Sequence, residues 1–285
     1  MDIERSKYIA AVTLYGTIGL LLHYITLPSE IVVLCRGVIG TLTILLVLFI
    51  QKKSFHPDTI RANLPILLLS GACLGLNWVF LFAAYRVTTV AVASLCNYMA
   101  PIIVIALSPL VFKERLTKKK LCCILTAFIG IILVSGVFQN GSGDLDLGGV
   151  GLGLTAALCF VGIVLCNKKS AGIDPLEKTA IQLAASAAVV LPYVLYNQWG
   201  DTLSVDTRSV LLILVLGFVH TGFAYILYFG SMAKIPVQSV AILGYLEPVV
   251  SVLTSALILQ EPITAGGILG AVLILGAAVY SEIDH

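Results

Sequence analysis

Apolar runs long enough to cross a bilayer recur along the whole chain and constrain its fold more than any other feature. The run from Ile235 to Leu259, for example, contains a single charged residue, Glu247. A helix needs about 20 apolar residues to cross the hydrocarbon core of a membrane. Because only 11% of the residues are charged, against roughly a quarter in a soluble domain, most of the chain is expected to face lipid.

Charged and turn-forming stretches divide the 285-residue chain into spans. They predict an all-α, polytopic membrane protein with ten transmembrane helices. Several connections, such as LPSE at 27–30 and QEPIT at 260–264, are only a few residues long, so neighbouring helices should be antiparallel. The predicted spans are 8–27, 29–50, 63–85, 88–112, 120–138, 149–168, 176–197, 208–231, 235–259 and 263–281.

The placement of lysine and arginine predicts the orientation of these helices. With the N-terminus inside, 14 of the 17 basic residues fall in cytoplasmic segments, and the outer connections hold Arg86 and Arg208. Cytoplasmic loops of membrane proteins carry an excess of Lys and Arg. We therefore expect a cell-membrane protein with both termini in the cytoplasm.

A shift of 147 residues aligns the two halves of the sequence without a gap. It indicates two five-helix repeats, residues 1–138 and 149–285, and an odd number of helices means that the second repeat enters the membrane inverted. Inverted repeats are typical of secondary transporters, whose halves exchange conformations around a central site. The aligned positions include Arg61 on Arg208, Gly75 on Gly222, Tyr98 and Pro101 on Tyr245 and Pro248, and Glu114 on Glu261.

Two motifs with a central proline and a terminal glutamate resemble a known family. They are NYMAPIIVIALSPLVFKERLT (97–117) and GYLEPVVSVLTSALILQEPIT (244–264), and LCRGVIG (34–40) and LYG (14–16) fit as well. The chain resembles the EamA branch of the drug/metabolite transporter superfamily over essentially its whole length. The resemblance implies two inverted five-helix repeats, a central cavity, and export of small metabolites, amino acids or drugs.

Four strongly polar side chains fall near the middle of predicted spans, and an arginine lies nearer the end of another span. Asn77, Asn97, His220 and Glu247 lie near mid-span, and Arg36 lies about two turns from the outer end of its span. An ionisable group at the bilayer centre costs about 2.5–3.5 kcal/mol on insertion scales, so such groups normally point into the helix bundle. Their helical faces carry small and weakly polar residues, which is typical of faces that contact other helices or line cavities.

We therefore expect a central substrate site formed by Asn77, Trp78, Asn97, Tyr98, His220, Tyr225, Tyr245 and Glu247. Glu247, His220 and Arg36 are candidates for proton coupling or for an ion pair. Plainer interpretations stay open, because Glu247 could pair structurally with Arg36 or His220, and the asparagines and aromatic residues could serve only in helix packing. Glu114 and Glu261, at the ends of spans four and nine, are expected to be structural.

Pro101 and Pro248 occupy matched positions within spans four and nine. Proline removes a backbone hydrogen bond and kinks a helix, and transporter sites are commonly built at such interruptions. Glu247 directly precedes the second proline, whereas the matched residue of the first repeat is Ala100. The repeat symmetry is therefore broken at one chemical position, as a one-sided substrate or proton site requires.

These features favour a secondary transporter that moves a small neutral, zwitterionic or cationic metabolite by alternating access, as an exporter or exchanger. A passive channel and an intramembrane enzyme are the alternatives. The sequence has no Gly-x-x-x-x-Gly-Lys loop for a nucleotide, and its net charge of +2 gives no reason to expect a nucleic-acid partner. The spacing of Cys and His predicts no metal or other cofactor. The expected partners are the substrate, the bilayer and, as one alternative, protons, and a single chain is expected to function as a monomer.

Overall fold

The computed structural model describes residues 3–52, 56–112, 117–134, 147–170, 172–197, 205–232, 234–235, 240 and 243–282. Within these ranges every regular element is a helix, which agrees with the predicted all-α class. Glu114, the end of span five and part of span nine lie outside the described residues.

The helices follow the predicted apolar runs with several shifts in their bounds. The first half of the chain contains α1 (Ile3–Gly16), α2 (Ile18–His23), α3 (Ser29–Ile50), α4 (Pro57–Val87), α5 (Val90–Asn97), α6 (Ala100–Phe112) and α7 (Lys118–Val134). The second half contains α8 (Leu147–Lys169), α9 (Pro175–Asn197), α10 (Thr207–Val215), a π-helical segment (Leu216–Phe223), α11 (Ala224–Met232), α12 (Leu246–Leu257) and α13 (Ala265–Glu282).

The lengths and apolar character of these helices are those of a multi-pass membrane protein. Six stretches within the described residues are long and apolar enough to cross a bilayer, and three shorter helices are also apolar. The six are Ser29–Ile50, Pro57–Val87, Val90–Leu107, Leu147–Lys169, Pro175–Tyr196 and Thr207–Met232. Large apolar side chains such as Phe49, Leu110 and Leu257 are exposed on the outside of the bundle, where lipid rather than water would surround them.

Local sequence signals explain where several helices begin. Thr89 precedes α5 and its side chain accepts a hydrogen bond from the Val92 backbone N–H, which satisfies one of the unpaired donors at a helix start. Asp206 does the same for α10 through the Ser209 backbone N–H. Pro57 opens α4, at a position where proline loses no intrahelical hydrogen bond.

Four predicted spans are interrupted rather than continuous. The first divides between α1 and α2 at Thr17, the fourth divides between α5 and α6 at Tyr98 and Met99, the eighth contains the π-helical segment, and the ninth is interrupted at Tyr245 just before α12. Pro101 and Pro248 lie in the first turns of α6 and α12. Proline fits a first turn because its missing N–H would be unpaired there, so the helix is interrupted just before each proline instead of bending around it. The interruptions in the first and eighth spans contain no proline and were not predicted.

Glycines bring helices from the two halves of the chain into close contact. A Cβ atom on Gly71 of α4 would lie 2.5 Å from the Gln182 carbonyl oxygen of α9. A Cβ on Gly222 of the π-helical segment would lie 2.4 Å from Thr43 of α3. Only glycine allows the helices to approach this closely, as is common where membrane helices pack.

Candidate functional site

Arg36 of α3 is buried inside the bundle, with 2% of its surface exposed. Its Nε donates a hydrogen bond of 2.7 Å to the Thr221 hydroxyl, and its guanidinium carbon lies 4.0 Å from the centre of the Trp78 ring. A guanidinium over an aromatic face is stabilised by the ring quadrupole. A buried cation is therefore held in place by one hydroxyl and one indole, both contributed by other helices.

Thr221 and His220 are presented by the π-helical segment. The Thr221 hydroxyl donates to the Leu216 carbonyl at 2.9 Å, five residues earlier, so its hydrogen is engaged and a lone pair faces Arg36. His220 Nδ1 lies 3.4 Å from the Val215 carbonyl oxygen, again five residues earlier. Short π-helical insertions occur frequently at functional sites, and this one directs two neighbouring polar side chains into the bundle.

The other nitrogen of His220 contacts the interruption between α1 and α2. Nε2 lies 3.0 Å from the Thr17 hydroxyl, which also lies 2.8 Å from the Leu14 carbonyl oxygen. A neutral imidazole donates from one ring nitrogen, whereas the protonated ring donates from both. The Thr17 hydroxyl can donate its hydrogen to the Leu14 carbonyl and still accept a hydrogen bond from His220 Nε2. A protonated His220 would then have two acceptors, the Thr17 hydroxyl and the more distant Val215 carbonyl.

Asn77 ties three helices together. Its side-chain nitrogen donates to the Asn97 side-chain oxygen at 2.9 Å and to the Ala156 carbonyl at 2.8 Å. Both amide hydrogens are therefore engaged within the protein, and 3% of the residue is exposed. These contacts are those of an interhelical tie between α4, α5 and α8, the second of the two interpretations that the sequence left open for the asparagines.

Glu247 lies in the first turn of α12 and faces the interruption between α5 and α6. The Tyr98 side chain lies beside its carboxyl group, so the two matched interruptions of spans four and nine meet at one contact. Close packing against α1 fixes the backbone at this point, because a Cβ on Gly16 would lie 2.6 Å from the Glu247 carbonyl oxygen. The glycine of the LYG motif thus positions the glutamate.

Tyrosines form one wall beside Glu247. The Tyr15 ring packs on Tyr225 and Tyr228, with centroids 5.6 and 5.9 Å apart, and Tyr8 packs on Tyr228 at 5.0 Å. The Tyr15 hydroxyl is buried and has no hydrogen-bond partner among the described residues. Tyr225 was predicted at the site, whereas Tyr8 and Tyr15 were not, although they lie seven residues apart on one face of α1.

The ionisable side chains of the site do not pair directly with one another. Among the residues that the structure describes, no ion pair joins Glu247 to Arg36 or to His220. Arg36 contacts Thr221 and Trp78, His220 contacts Thr17, and Glu247 contacts Tyr98. Tyr245, also predicted at the site, packs against the hydrophobic cluster that includes residues of α6, α7 and α13.

A chain of hydroxyl groups joins α4, α5 and α12. Its member in α5 lies before the interruption between α5 and α6. The Tyr85 hydroxyl lies 3.1 Å from the Ser94 hydroxyl, which lies 2.6 Å from the Ser251 hydroxyl. Glu261 accepts hydrogen bonds from the Val90 backbone N–H at 2.9 Å and from the Ser255 hydroxyl. The contacts of Glu261 are structural, as expected, and they hold the start of α5 against the end of α12.

Comparison with known proteins places the chain in a class and then in a family. The profile of the EamA-like transporter family matches residues 7–136 and again residues 147–281. The chain is a multi-pass membrane protein of the transporter class, and it belongs to the EamA-like transporter family.

Curated relatives carry consistent names. The chain is 26% identical over 249 residues to "Uncharacterized transporter YxxF" of Bacillus subtilis, covering 86% of this chain and 78% of that protein. It is 30% identical over 236 residues to "Probable amino-acid metabolite efflux pump" of Salmonella typhimurium, covering 78% of each protein. These names describe transporters and efflux pumps rather than enzymes.

A solved structure has the same fold. A crystal structure, of a protein 17% identical in sequence, superposes with a TM-score of 0.68 and covers 98% of this chain and 97% of its own. At this sequence identity the likeness establishes the fold alone.

Proposed function

We propose that this protein is a secondary transporter of a small neutral, zwitterionic or cationic metabolite that works by alternating access. The observation that carries the proposal is the polar centre of the bundle. There the Glu247–Tyr98 contact and the Arg36–Thr221–Trp78 contact both lie at helix interruptions or irregularities. Interrupted helices near the midplane are where transporters build substrate sites.

The proposed architecture has ten spans in two inverted repeats, residues 1–138 and 149–285. Two matches to one family profile, at 7–136 and 147–281, support two copies of one unit. The packing also supports two related copies. In one contact, α4 of the first copy packs on α9 of the second. In the equivalent contact, the π-helical segment, which aligns with part of α4, packs on α3, which aligns with α9. The pair α7 and α13 are matched to each other and pack together.

Arg36 and Glu247 support a substrate that carries both a negative and a positive charge. Arg36 offers donors suited to a carboxylate, since its planar guanidinium binds carboxylates through two parallel N–H groups. Glu247 offers an acceptor for an ammonium group. Because neither side chain pairs with the other among the described contacts, a zwitterion that bridges them would satisfy both. The Salmonella relative, named for amino-acid metabolite efflux, supports an amino acid or close derivative and outward transport.

Proton coupling is proposed at His220 and Glu247. The contacts of His220 are compatible with its neutral and with its protonated form, and its bond to Thr17 lies at the interruption of the first span. A proton on this ring would therefore strengthen the contact between α2 and the π-helical segment. At Glu247, the corresponding step is release of a proton from the carboxyl group when the substrate ammonium binds.

Thermal-shift measurements with matched ligands test the substrate class. Each amino acid would be compared with its amide, which keeps the ammonium, and with its N-acetyl derivative, which keeps the carboxylate. We expect the zwitterion to stabilise the wild-type protein most, Glu247→Gln to remove the preference for the free ammonium, and Arg36→Gln to remove the preference for the free carboxylate. Equal stabilisation by all three forms of every amino acid would contradict the proposal.

A further inference from the structure

A groove between α7 and α13 opens on the surface of the bundle, away from the central site. Its volume is about 270 Å³, and its walls include Cys122, Thr126, Val272, Gly276 and Tyr280. We call it the α7–α13 groove. Its walls are largely apolar, and Val272 and Tyr280 are more than half exposed, so the groove is accessible from the lipid.

Packing of the two helices explains why the groove exists at this end. Near the other end of the pair, a Cβ on Gly130 would lie 2.9 Å from the Gly270 carbonyl oxygen, so the backbones are in close contact there. At Gly276 a Cβ would meet no atom within 4 Å. Gly276 therefore leaves open space beside the groove toward the start of α7.

Positive charge lies at the mouth of the groove. The helix α7 begins at Lys118, and the Lys119 ammonium lies 4.4 Å from the centre of the Tyr280 ring, a wall of the groove. Over the neighbouring sequence, 113–120 carries five basic residues and one acidic residue, and 281–285 carries two acidic residues. The sequence around the start of α7 is therefore strongly basic, which favours an anionic ligand near Lys118 and Lys119.

We propose that the α7–α13 groove binds one anionic membrane phospholipid. An acyl chain would fill the space beside Gly276 and Thr126, and the headgroup phosphate would contact Lys118 and Lys119. The geometry suits a lipid, because eight residues of helix separate Lys118 from Thr126, a rise of about 12 Å, which reaches from the headgroup level into the upper acyl chain. Basic pockets between membrane helices at the cytoplasmic surface favour anionic headgroups.

Native mass spectrometry of the full-length protein with added phosphatidylglycerol or phosphatidylcholine tests this site. We expect phosphatidylglycerol to be retained preferentially, and each lysine removed to weaken its binding about fivefold, as one basic residue near an anionic surface contributes about that factor. The test variants are Lys118→Gln/Lys119→Gln and Gly276→Leu. The first should remove the preference for phosphatidylglycerol, and the second should reduce binding of both lipids by filling the groove.

Matched controls separate this site from general lipid adhesion. Lys168→Gln/Lys169→Gln removes a second adjacent lysine pair, at the end of α8, and Gly230→Leu adds a side chain at another glycine with no atom within 4 Å of its Cβ position. Both should leave the preference unchanged. A phosphatidylglycerol with a photoreactive acyl chain should crosslink within 121–134 or 265–282.

Several results would overturn the proposal. They are equal retention of the two lipids by the wild type, an equal effect of both lysine-pair variants, or crosslinks only on other helices. A protein dimer that is lost in Gly276→Leu would instead assign the groove to a second copy of the chain. Should Gly276→Leu not fold, the lysine variants and the crosslinks still decide.

Discussion

Replacement of Thr221 by valine tests how the buried Arg36 is held. Valine keeps the shape of threonine but removes the hydroxyl that accepts the 2.7 Å hydrogen bond from Arg36 Nε and donates to the Leu216 carbonyl. With 2% of Arg36 exposed, water cannot replace the lost partner in the folded state. The variant therefore leaves one donor of a buried cation unpaired.

The expected loss of stability follows from the kind of bond removed. Hydrogen bonds to charged groups contribute about 1.5–3 kcal/mol, whereas ordinary bonds between membrane helices average about 0.6 kcal/mol. Because the Thr221 bond involves a buried cation, we expect Thr221→Val to lower the free energy of unfolding by about 2 kcal/mol, which is roughly a 30-fold change in the unfolding equilibrium.

Thr41→Val is the matched control. Its hydroxyl also donates to a backbone carbonyl within its helix, that of Gly37 at 2.7 Å, but the structure gives it no contact with a charged group. Denaturant titration of both variants in bicelles, followed by circular dichroism, measures the difference, and Thr221→Ser should restore most of the lost stability. A Thr221→Val protein no less stable than Thr41→Val would refute the idea that this hydroxyl holds Arg36.

Three further predictions concern Gly16, Asp206 and the proposed membrane topology. Gly16→Ala places a Cβ against the Glu247 carbonyl at 2.6 Å and should lower both stability and transport in proteoliposomes, whereas Gly148→Ala, with open space at its Cβ, should change neither. Hydrogen bonds from Thr26 and then Ser209 lower the pKa of Asp206 to about 2, so its stabilising effect is present above the usual carboxyl pKa of about 4 and lost as the pH falls toward 2. Thermal unfolding of wild type and Asp206→Asn should therefore differ at pH 6 and converge near pH 2; a difference that is constant with pH would contradict this. Ser142→Cys, in a background without other cysteines, should react with an impermeant thiol reagent from outside the cell, and protection there would contradict the proposed topology.

Burial of the polar residues could be predicted because the bilayer penalises exposure so strongly. Arg36, Asn77 and His220 are each at most 5% exposed, as their positions in apolar spans and their small-residue faces indicated. The cost of placing such groups in lipid leaves the bundle interior as their only stable location. The all-helical class could be predicted because backbone polar groups in a bilayer must be paired within the chain. The breaks in regular helix near Pro101 and Pro248 could be predicted because proline has no backbone N–H to donate.

The detailed partners of these residues could not be predicted in the same way. Predictions from helical spacing assume a regular α-helix. The segment Leu216–Phe223 is instead a wider π-helix, which directs both His220 and Thr221 inward. The apolar pattern of the sequence carries no signal for this change. Thr17 was overlooked because the interruption of the first span contains glycine and threonine rather than proline. The partners of His220 and Arg36 are therefore hydroxyl groups, where the sequence suggested a carboxylate.

Substrate counterflow in proteoliposomes tests most directly whether the buried centre is a transport site. The labelled substrate is the amino acid that stabilises the wild type most, and the variants are Glu247→Gln and the control Glu4→Gln, whose carboxylate forms a 3.0 Å ion pair with Lys7 outside the central site. We expect saturable, pH-dependent counterflow by the wild type and by Glu4→Gln, and at least a tenfold loss by a folded Glu247→Gln protein, the equivalent of about 1.4 kcal/mol. Unsaturable flux, or counterflow by Glu247→Gln with unchanged KM and pH dependence, would contradict the account.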